Sequence, residues 1–577
     1  MFTSQFFNRL NSHWLVFTLF FIFASLWLMN TWGPAPIILT NGDAGNVSSI
    51  VASNMNPERF VQDPLFSDAQ NFKFYWTISV PLTQFITYFT HDIGQAYLLL
   101  IWPIIFVQLI GFYLLGLYLF SNKGWAFLLA ILSLSPVFVF PGELWGQLDV
   151  PLTRSYYGVL FPFILFLSLK KNNKIWLPFV VMGLCGLSVY VHPVSAPSVS
   201  FACLTALFMC KPTERSWLKQ LSVIFAAGVM FLVVAAPFII SFFSGFPSSE
   251  NIHNNSSSAI AAHYMTEAAG PQYYNVLSIL NSLYSLLFQG KWSWFWLIGL
   301  IGLLIVPTFS KKPYYERKFF IFFIVGLLIS SVGIAWLDQS IARMYGRYPA
   351  EIDLVRNSRY LIPLLLIGGV RFFASINIKI LSKYRPAFWF LILIFVYRWF
   401  IDFPTTFTTF LVNQVQHKQT ENLVNNSSNK KMLNYIKSLP TGSKIMAFSL
   451  DSDSNGLIED IMLAIRYSSF QPIAHLRKDL NFLSYSGRGL QILEWQKEAE
   501  QLALIKKEDD QSKLKLLKEF MQAHKVNLLL VYEPDVSAEL RSLFNSQFEL
   551  LYKQINFSLY AYNPNDSKIK SAHQDNL

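Results

Sequence analysis

The sequence predicts a mainly α-helical, polytopic membrane protein that ends in a small α/β domain, and three observations carry that prediction. Only 14% of the 577 residues are charged and 53% are hydrophobic, whereas soluble domains carry about 25% charged residues. The deficit is concentrated in long runs almost free of charge between residues 14 and 403. From about residue 405 onward the composition becomes ordinary and strand-like and helix-like patterns alternate.

A membrane-crossing helix needs about 20 mostly apolar residues. Eleven runs approach that pattern, near 14–33, 97–120, 125–140, 156–169, 176–191, 195–210, 220–243, 292–308, 319–337, 360–374 and 386–403. The first has too long an apolar core for a signal peptide and no clear cleavage site follows it, so it reads as an uncleaved span. Basic residues collect in alternate loops: Lys170, Lys171 and Lys174, then Lys211, Arg215 and Lys219, then Lys311, Lys312, Arg317 and Lys318. The opposite loops hold most carboxylates, among them Asp43, Asp63, Asp68, Asp92, Glu143, Asp149, Asp338, Glu351 and Asp353. Because positive loops stay cytoplasmic, this alternation places the N-terminus in the cytoplasm of a plasma (inner) membrane. The domain after the last span is then extracytoplasmic. Residues 276–289 are apolar but short, and read as a helix in the interface or re-entering it. The net charge of +11 is explained by these loops, so nucleic acid is not an expected partner.

Two domains follow: a transmembrane domain, 1–404, with a long outer loop 34–96, and an extracytoplasmic α/β domain, 405–577. In the latter, Lys444–Ser449, Val526–Glu533, Phe548–Lys553 and Phe557–Tyr562 read as strands, with helices at Lys513–His524 and Ser537–Phe544. Cys185, Cys203 and Cys210 lie in apolar runs without metal-ligand spacing and read as buried apolar residues. Asp451, Asp453 and Asn455 open like a calcium loop, but its twelfth position is Met462, where the bidentate glutamate belongs.

The candidate chemistry lies in the outer loops. Asp43, in Asn41-Gly42-Asp43-Ala44-Gly45, is presented either as a general base on a glycine-freed turn or as a plain turn or capping residue. Asp63, before Pro64, is a second acid, a metal ligand or turn chemistry. Arg154 stands at the outer end of the fourth run, positioned to hold a lipid phosphate or to snorkel to headgroups. His192, between Val191 and Pro193, is the ionisable residue of its turn, placed for function or for a structural hydrogen bond. Arg356 and Arg359, three residues apart, share a helical face, either as a phosphate-binding pair or as partners of Glu351 and Asp353.

Four stretches together resemble the GT-C superfamily of polytopic membrane glycosyltransferases, in particular a bacterial GT-C-like group. They are Gly42-Asp43-Ala44 with Pro57-Glu58-Arg59-Phe60 and Asp63, then Leu152-Thr153-Arg154, then Val191-His192-Pro193, then Leu354 to Arg359. Residues 432–470 also resemble that group's outer domain. The resemblance implies an inverting transfer of a sugar from a polyprenyl-phosphate donor to an acceptor hydroxyl on a glycan, lipid or protein. Asp43 is the implied base, and Arg154, His192 and Arg356 the implied phosphate ligands. The chain departs from the pattern in lacking an acidic pair beside Asp43, which leaves a divalent metal cofactor weakly supported. Two other readings of the architecture are a transporter or flippase of lipid-linked glycans and a non-catalytic membrane scaffold. The transporter reading sits poorly with spans that hold almost no charge and show no repeat.

Overall fold

The computed structural model describes residues 2–32, 42–75, 77–140, 143–147, 153–170, 174–243, 276–305, 313–344, 354–376, 394–395, 398–399, 419–450, 455–486 and 488–562. Loop 244–275, most of the run 386–403, Glu351, Asp353 and the first half of the calcium-like loop lie outside the described residues. The chain is mostly helical and divides into two compact units. Unit 1 comprises Met1–Thr31, Leu100–Ile240 and Met265–Val415, and unit 2 comprises Trp32–Leu99, Ser241–Tyr264 and Gln416–Leu577.

Among the described residues, three helices are long and apolar enough to cross a membrane: Ile93–Phe120, Trp217–Ser241 and Tyr314–Asp338. Six further apolar helices have 10–17 residues. At 1.5 Å per residue these rise only about 15–26 Å, less than a ~30 Å hydrocarbon core. The apolar run 125–140 is divided: a helix occupies Lys123–Leu132, and a two-stranded hairpin follows, β1 Val137–Phe140 with β2 Glu143–Trp145. Hydrophobicity alone does not separate a buried strand from the end of a helix. The short apolar stretch after loop 244–275 forms the helix Val276–Phe288, which exposes Leu277, Leu280, Tyr284 and Phe288 along one face.

Unit 1 packs as helices do in lipid. Its helices approach through glycine. A Cβ on Gly302 would lie 1.9 Å from the Gly368 carbonyl oxygen, and one on Gly299 would lie 2.4 Å from the Leu365 oxygen. The helices Ser293–Leu304 and Leu361–Ile376 therefore meet backbone to backbone, an arrangement favoured where no hydrophobic force drives helices together. Gly116 against Ala126 and Gly326 against Ala202 repeat the device. The outward faces are apolar: Leu218, Phe225, Leu232, Val233 and Ile240 on Trp217–Phe243 are all exposed. Such a surface is tolerated against lipid and not against water. The three cysteines are buried and free.

Unit 2 holds a four-stranded mixed sheet in the order β3-β4-β6-β5, with β3 Ile445–Phe448, β4 Leu528–Tyr532, β5 Glu549–Lys553 and β6 Phe557–Ala561. β3 and β4 are parallel and the remaining pairs antiparallel. All four predicted strands and both predicted helices of this region are present, the helices as Asp510–Ala523 and Ala538–Gln547. Asp509 caps the first through the amides of Gln511 and Ser512, and Ser537 caps the second through that of Leu540. The segment expected as an outer loop is largely helical, with Gly42–Met55, Ser79–Thr90 and Ile93–Leu99, and it belongs to the same compact unit as the sheet.

Gly302→Val forces a side chain into the backbone of the neighbouring helix. Overpacking of this kind costs about 1–3 kcal/mol, so the purified variant is expected to unfold at lower temperature than wild type in detergent. A Ser222→Val variant, on an exposed helix surface, is expected to melt like wild type.

Candidate functional site: a cationic cavity in unit 1

Three separate stretches of unit 1 converge. Arg154 lies in the first turn of the helix Thr153–Leu169. His192 lies in the turn between the 3-10 segment Ser188–Tyr190 and the helix Ser195–Met209. Arg356 and Arg359 lie in the 3-10 helix Leu354–Tyr360, immediately before the helix Leu361–Ile376. Because a 3-10 helix repeats every three residues, the two arginines share one face, as their spacing predicts.

Hydrogen bonds fix these segments to one another. Arg359 Nη2 donates to Ser195 Oγ at 2.7 Å. Asn357 Nδ2 donates to the Val194 carbonyl at 3.0 Å and to Ser198 Oγ at 2.8 Å. The Ser195 amide donates to His192 Nδ1 at 3.2 Å, so the neutral ring carries its proton on Nε2. Burial pushes the His192 imidazole well below its ordinary value, and the charges of Arg359, Arg154 and Arg356 push it further down. At neutral pH His192 is therefore uncharged, surrounded by a positive field.

A small, partly open cavity lies at this place, and Arg154, Ser155, Arg359, Tyr360, Gln108 and Gln147 line it. Its wall depends on Gly146, whose φ of +106° suits glycine and where a Cβ would strike the Ser135 carbonyl oxygen at 2.2 Å. That turn brings the Gln147 amide to the Leu134 carbonyl at 3.0 Å and Gln147 Nε2 to Gln108 Oε1 at 2.6 Å. Gln108 Nε2 donates in turn to the Ser133 carbonyl at 3.0 Å. Gln147 Oε1 and Ser155 Oγ are buried and have no hydrogen-bond partner among the described residues. Buried acceptors and hydroxyls are normally satisfied, so these two atoms mark where a ligand or water supplies the missing bonds. Neither glutamine was a candidate from sequence. The signal was present in Gln108, a buried amide inside the apolar helix Ile101–Phe120.

The acidic candidates lie in unit 2. Asp43 is in the first turn of the helix Gly42–Met55, not on an open turn, and its side chain lies outside the described residues. Gly45 serves packing: a Cβ there would meet Leu463 Cδ1 at 2.8 Å. Asp63 is fully buried. Its Oδ1 accepts from the amides of Leu65 and Phe66 and from Arg466 Nη2, and its Oδ2 from Arg466 Nε at 3.0 Å and from the Ile473 amide at 3.0 Å. A carboxylate offers about four lone-pair positions, so none remains for a substrate or a metal ion. Arg466 also binds Asp479 through two bonds of 2.5 and 2.8 Å. Burial disfavours the guanidinium charge, but the two carboxylates outweigh burial and hold Arg466 above its ordinary pKa. Among the described residues no group of three His, Cys, Asp or Glu side chains is arranged to hold a metal ion.

Asp63→Asn removes a carboxylate from a dry site and puts an NH2 donor where an oxygen accepts from Arg466 and backbone amides. Removing one member of a buried pair costs about 3–5 kcal/mol, so Asp63→Asn is expected to lower the thermal midpoint sharply while Glu58→Gln, an exposed neighbour, leaves it unchanged.

A second titratable cluster in unit 2 is structural. Glu498 bridges His475 at 3.0 Å and His524 at 3.1 Å, and His475 stacks on Trp495 at 4.8 Å. Burial raises the Glu498 carboxyl, but hydrogen bonds from both histidines outweigh it and hold it at about 2. A depressed folded value stabilises the fold above the unfolded pKa, and that contribution is lost as pH falls through the folded one. Thermal melts are therefore expected to lose stability between the usual 4.5 and about 2, and Glu498→Gln is expected to remove that component of the pH dependence.

Comparison of the chain with known protein families and with curated proteins finds no match.

Proposed function

We propose that the chain is a multi-pass plasma-membrane glycosyltransferase of GT-C type. It transfers a sugar from a polyprenyl-phosphate-linked donor to an acceptor hydroxyl on the extracytoplasmic face. The observation that carries this reading is that Arg154 and Arg359 line one cavity while both of them and Arg356 act electrostatically on His192. Guanidinium donors match phosphate oxygens in charge and geometry. Gln147 Oε1 and Ser155 Oγ add an acceptor and a hydroxyl suited to sugar hydroxyls. A site built for a simple anion has no use for the acceptor.

In the proposed reaction the acceptor hydroxyl attacks the anomeric carbon and transfers its proton to Asp43. The bond between that carbon and the phosphate oxygen breaks, its electron pair leaves with the polyprenyl phosphate, and configuration inverts. Negative charge grows on the leaving oxygen, which is where fixed cationic donors stabilise a transition state most. Neutral His192 offers its Nε2 proton as a hydrogen bond to the same phosphate. The proposal retains about eleven crossings with a cytoplasmic N-terminus, the short apolar helices being completed by adjoining segments. The gathering of Trp32–Leu99 and Gln416–Leu577 in one unit supports their lying on one side of the membrane.

Deletion of the gene, followed by mass spectrometry of envelope glycans, lipids and glycoproteins, tests the reading. A sugar is expected to disappear and to return with the wild-type gene. Arg359→Gln is expected to restore it at about 10²–10³-fold lower rate, the usual cost of losing one preorganised donor, and Asp43→Asn not at all. Accumulation of the complete glycan on the cytoplasmic leaflet would instead identify a flippase. Full restoration by both variants at matched protein levels would refute the assignment.

A further inference from the structure

The helix Ser79–Thr90 in unit 2 is packed inside out. It buries Ser79, Thr83 and Thr87, a polar stripe with one residue per turn, together with Val80. It exposes Ile78, Leu82, Phe85 and Phe89, spaced by four, three and four residues, with Tyr88 beside them. Phe85 is 61% exposed and Phe89 71%. In water a helix does the reverse. The helix Asp510–Ala523 of the same unit shows the ordinary arrangement, burying Leu514, Leu517, Phe520 and Met521 and exposing Lys515 and Glu519.

The buried hydroxyls need no partner from another helix. Thr83 Oγ1 donates to the Ser79 carbonyl at 2.7 Å and Thr87 Oγ1 to the Thr83 carbonyl at 2.8 Å. Small, self-satisfied hydroxyl residues let backbones approach closely, as in helices packed within lipid. The helix carries no Asp, Glu, Lys or Arg.

Chain continuity identifies what covers the aromatic face. The apolar span Ile93–Phe120 begins three residues after Thr90. Three residues reach at most about 10 Å and the helix Ile93–Leu99 rises about 10 Å more, so this end of the helix stays within about 20 Å of Leu100, where unit 1 resumes. Twelve residues rise only about 18 Å, too short to cross. An uncharged, aromatic-faced helix of that length at that place fits the plane of the interface, where Phe and Tyr rings are favoured. We propose that the Ile78–Phe89 face is an interfacial anchor that seats unit 2 on the bilayer, with phospholipid as its partner. The proposal is independent of the enzymatic reading.

Spin labels on single cysteines in the full-length protein, reconstituted in phosphatidylethanolamine–phosphatidylglycerol vesicles, test it, since Cys185, Cys203 and Cys210 are buried. Phe85→Cys and Phe89→Cys are to be compared with a lipid reference, Phe225→Cys, and a water reference, Lys515→Cys. Both helix positions are expected to follow the lipid reference, with a gain in collisions with oxygen and a loss of collisions with a nickel chelate. Collisions like those at position 515 would overturn the proposal by showing the face in water. Shielding from both reagents would overturn it by showing a protein partner. Using two positions guards against one variant that fails to fold, and detergent-solubilised samples checked for monodispersity exclude aggregation as the cause of shielding.

Discussion

A buried guanidinium must be matched in charge and in hydrogen bonds, and unit 2 is organised around that constraint. Arg466 has no exposed surface. One of its carboxylates, Asp479, is 13 residues away along the chain, and the other, Asp63, is 403 residues away. Two carboxylates on one guanidinium leave an excess negative charge, and the amides of Leu65, Phe66 and Ile473 meet it at Asp63. The Phe66 ring lies 5.0 Å from the guanidinium carbon and closes the site. A network of this kind is stable only when complete. The segment after the first apolar run and the C-terminal segment therefore fold as one body. The link between Arg488 and Asp68 at 2.6 Å reinforces the same union at the surface.

In unit 1 the charges of Arg154, Arg356 and Arg359 all act on His192, whose imidazole burial keeps neutral. The hydrogen bond from Arg359 to Ser195 and those from Asn357 to Val194 and Ser198 tie these segments together.

The sequence disclosed these two regions unequally, for physical reasons. The C-terminal sheet was legible because short apolar strands and capped helices are local patterns. Arg154, His192, Arg356 and Arg359 were legible because an ionisable group among apolar residues is costly and calls for a purpose. Asp63 was misleading, since its partner is remote in sequence and nothing near Pro64 announces an ion pair. Asp43 read as a turn residue because Gly42 and Gly45 favour turns, whereas Gly45 is there to admit Leu463. The run 125–140 read as one continuous helix, whereas the hairpin at Val137–Trp145 takes its second half. Gln108 and Gln147 escaped because a neutral amide carries no charge signal, even though burying one obliges it to find partners.

The placement of the cationic residues adds a term that side-chain charge alone does not supply. Arg154 and Ser155 lie in the first turn of Thr153–Leu169, Arg359 and Tyr360 directly precede Leu361–Ile376, and Ser195, which binds Arg359, opens Ser195–Met209. Three helices of 17, 16 and 15 residues thus begin at the cavity or at its immediate support. Each N-terminus carries roughly half a positive charge from its aligned peptide dipoles. Unlike a histidine this contribution does not titrate, and unlike a long side chain it loses no entropy when a ligand binds. On the proposed function, a phosphate bound there would be held by backbone as well as by guanidinium groups. Neutralising one arginine therefore leaves a weakened field, not an absent one, which is why a graded loss of transfer, in place of abolition, is the signature expected of Arg359→Gln.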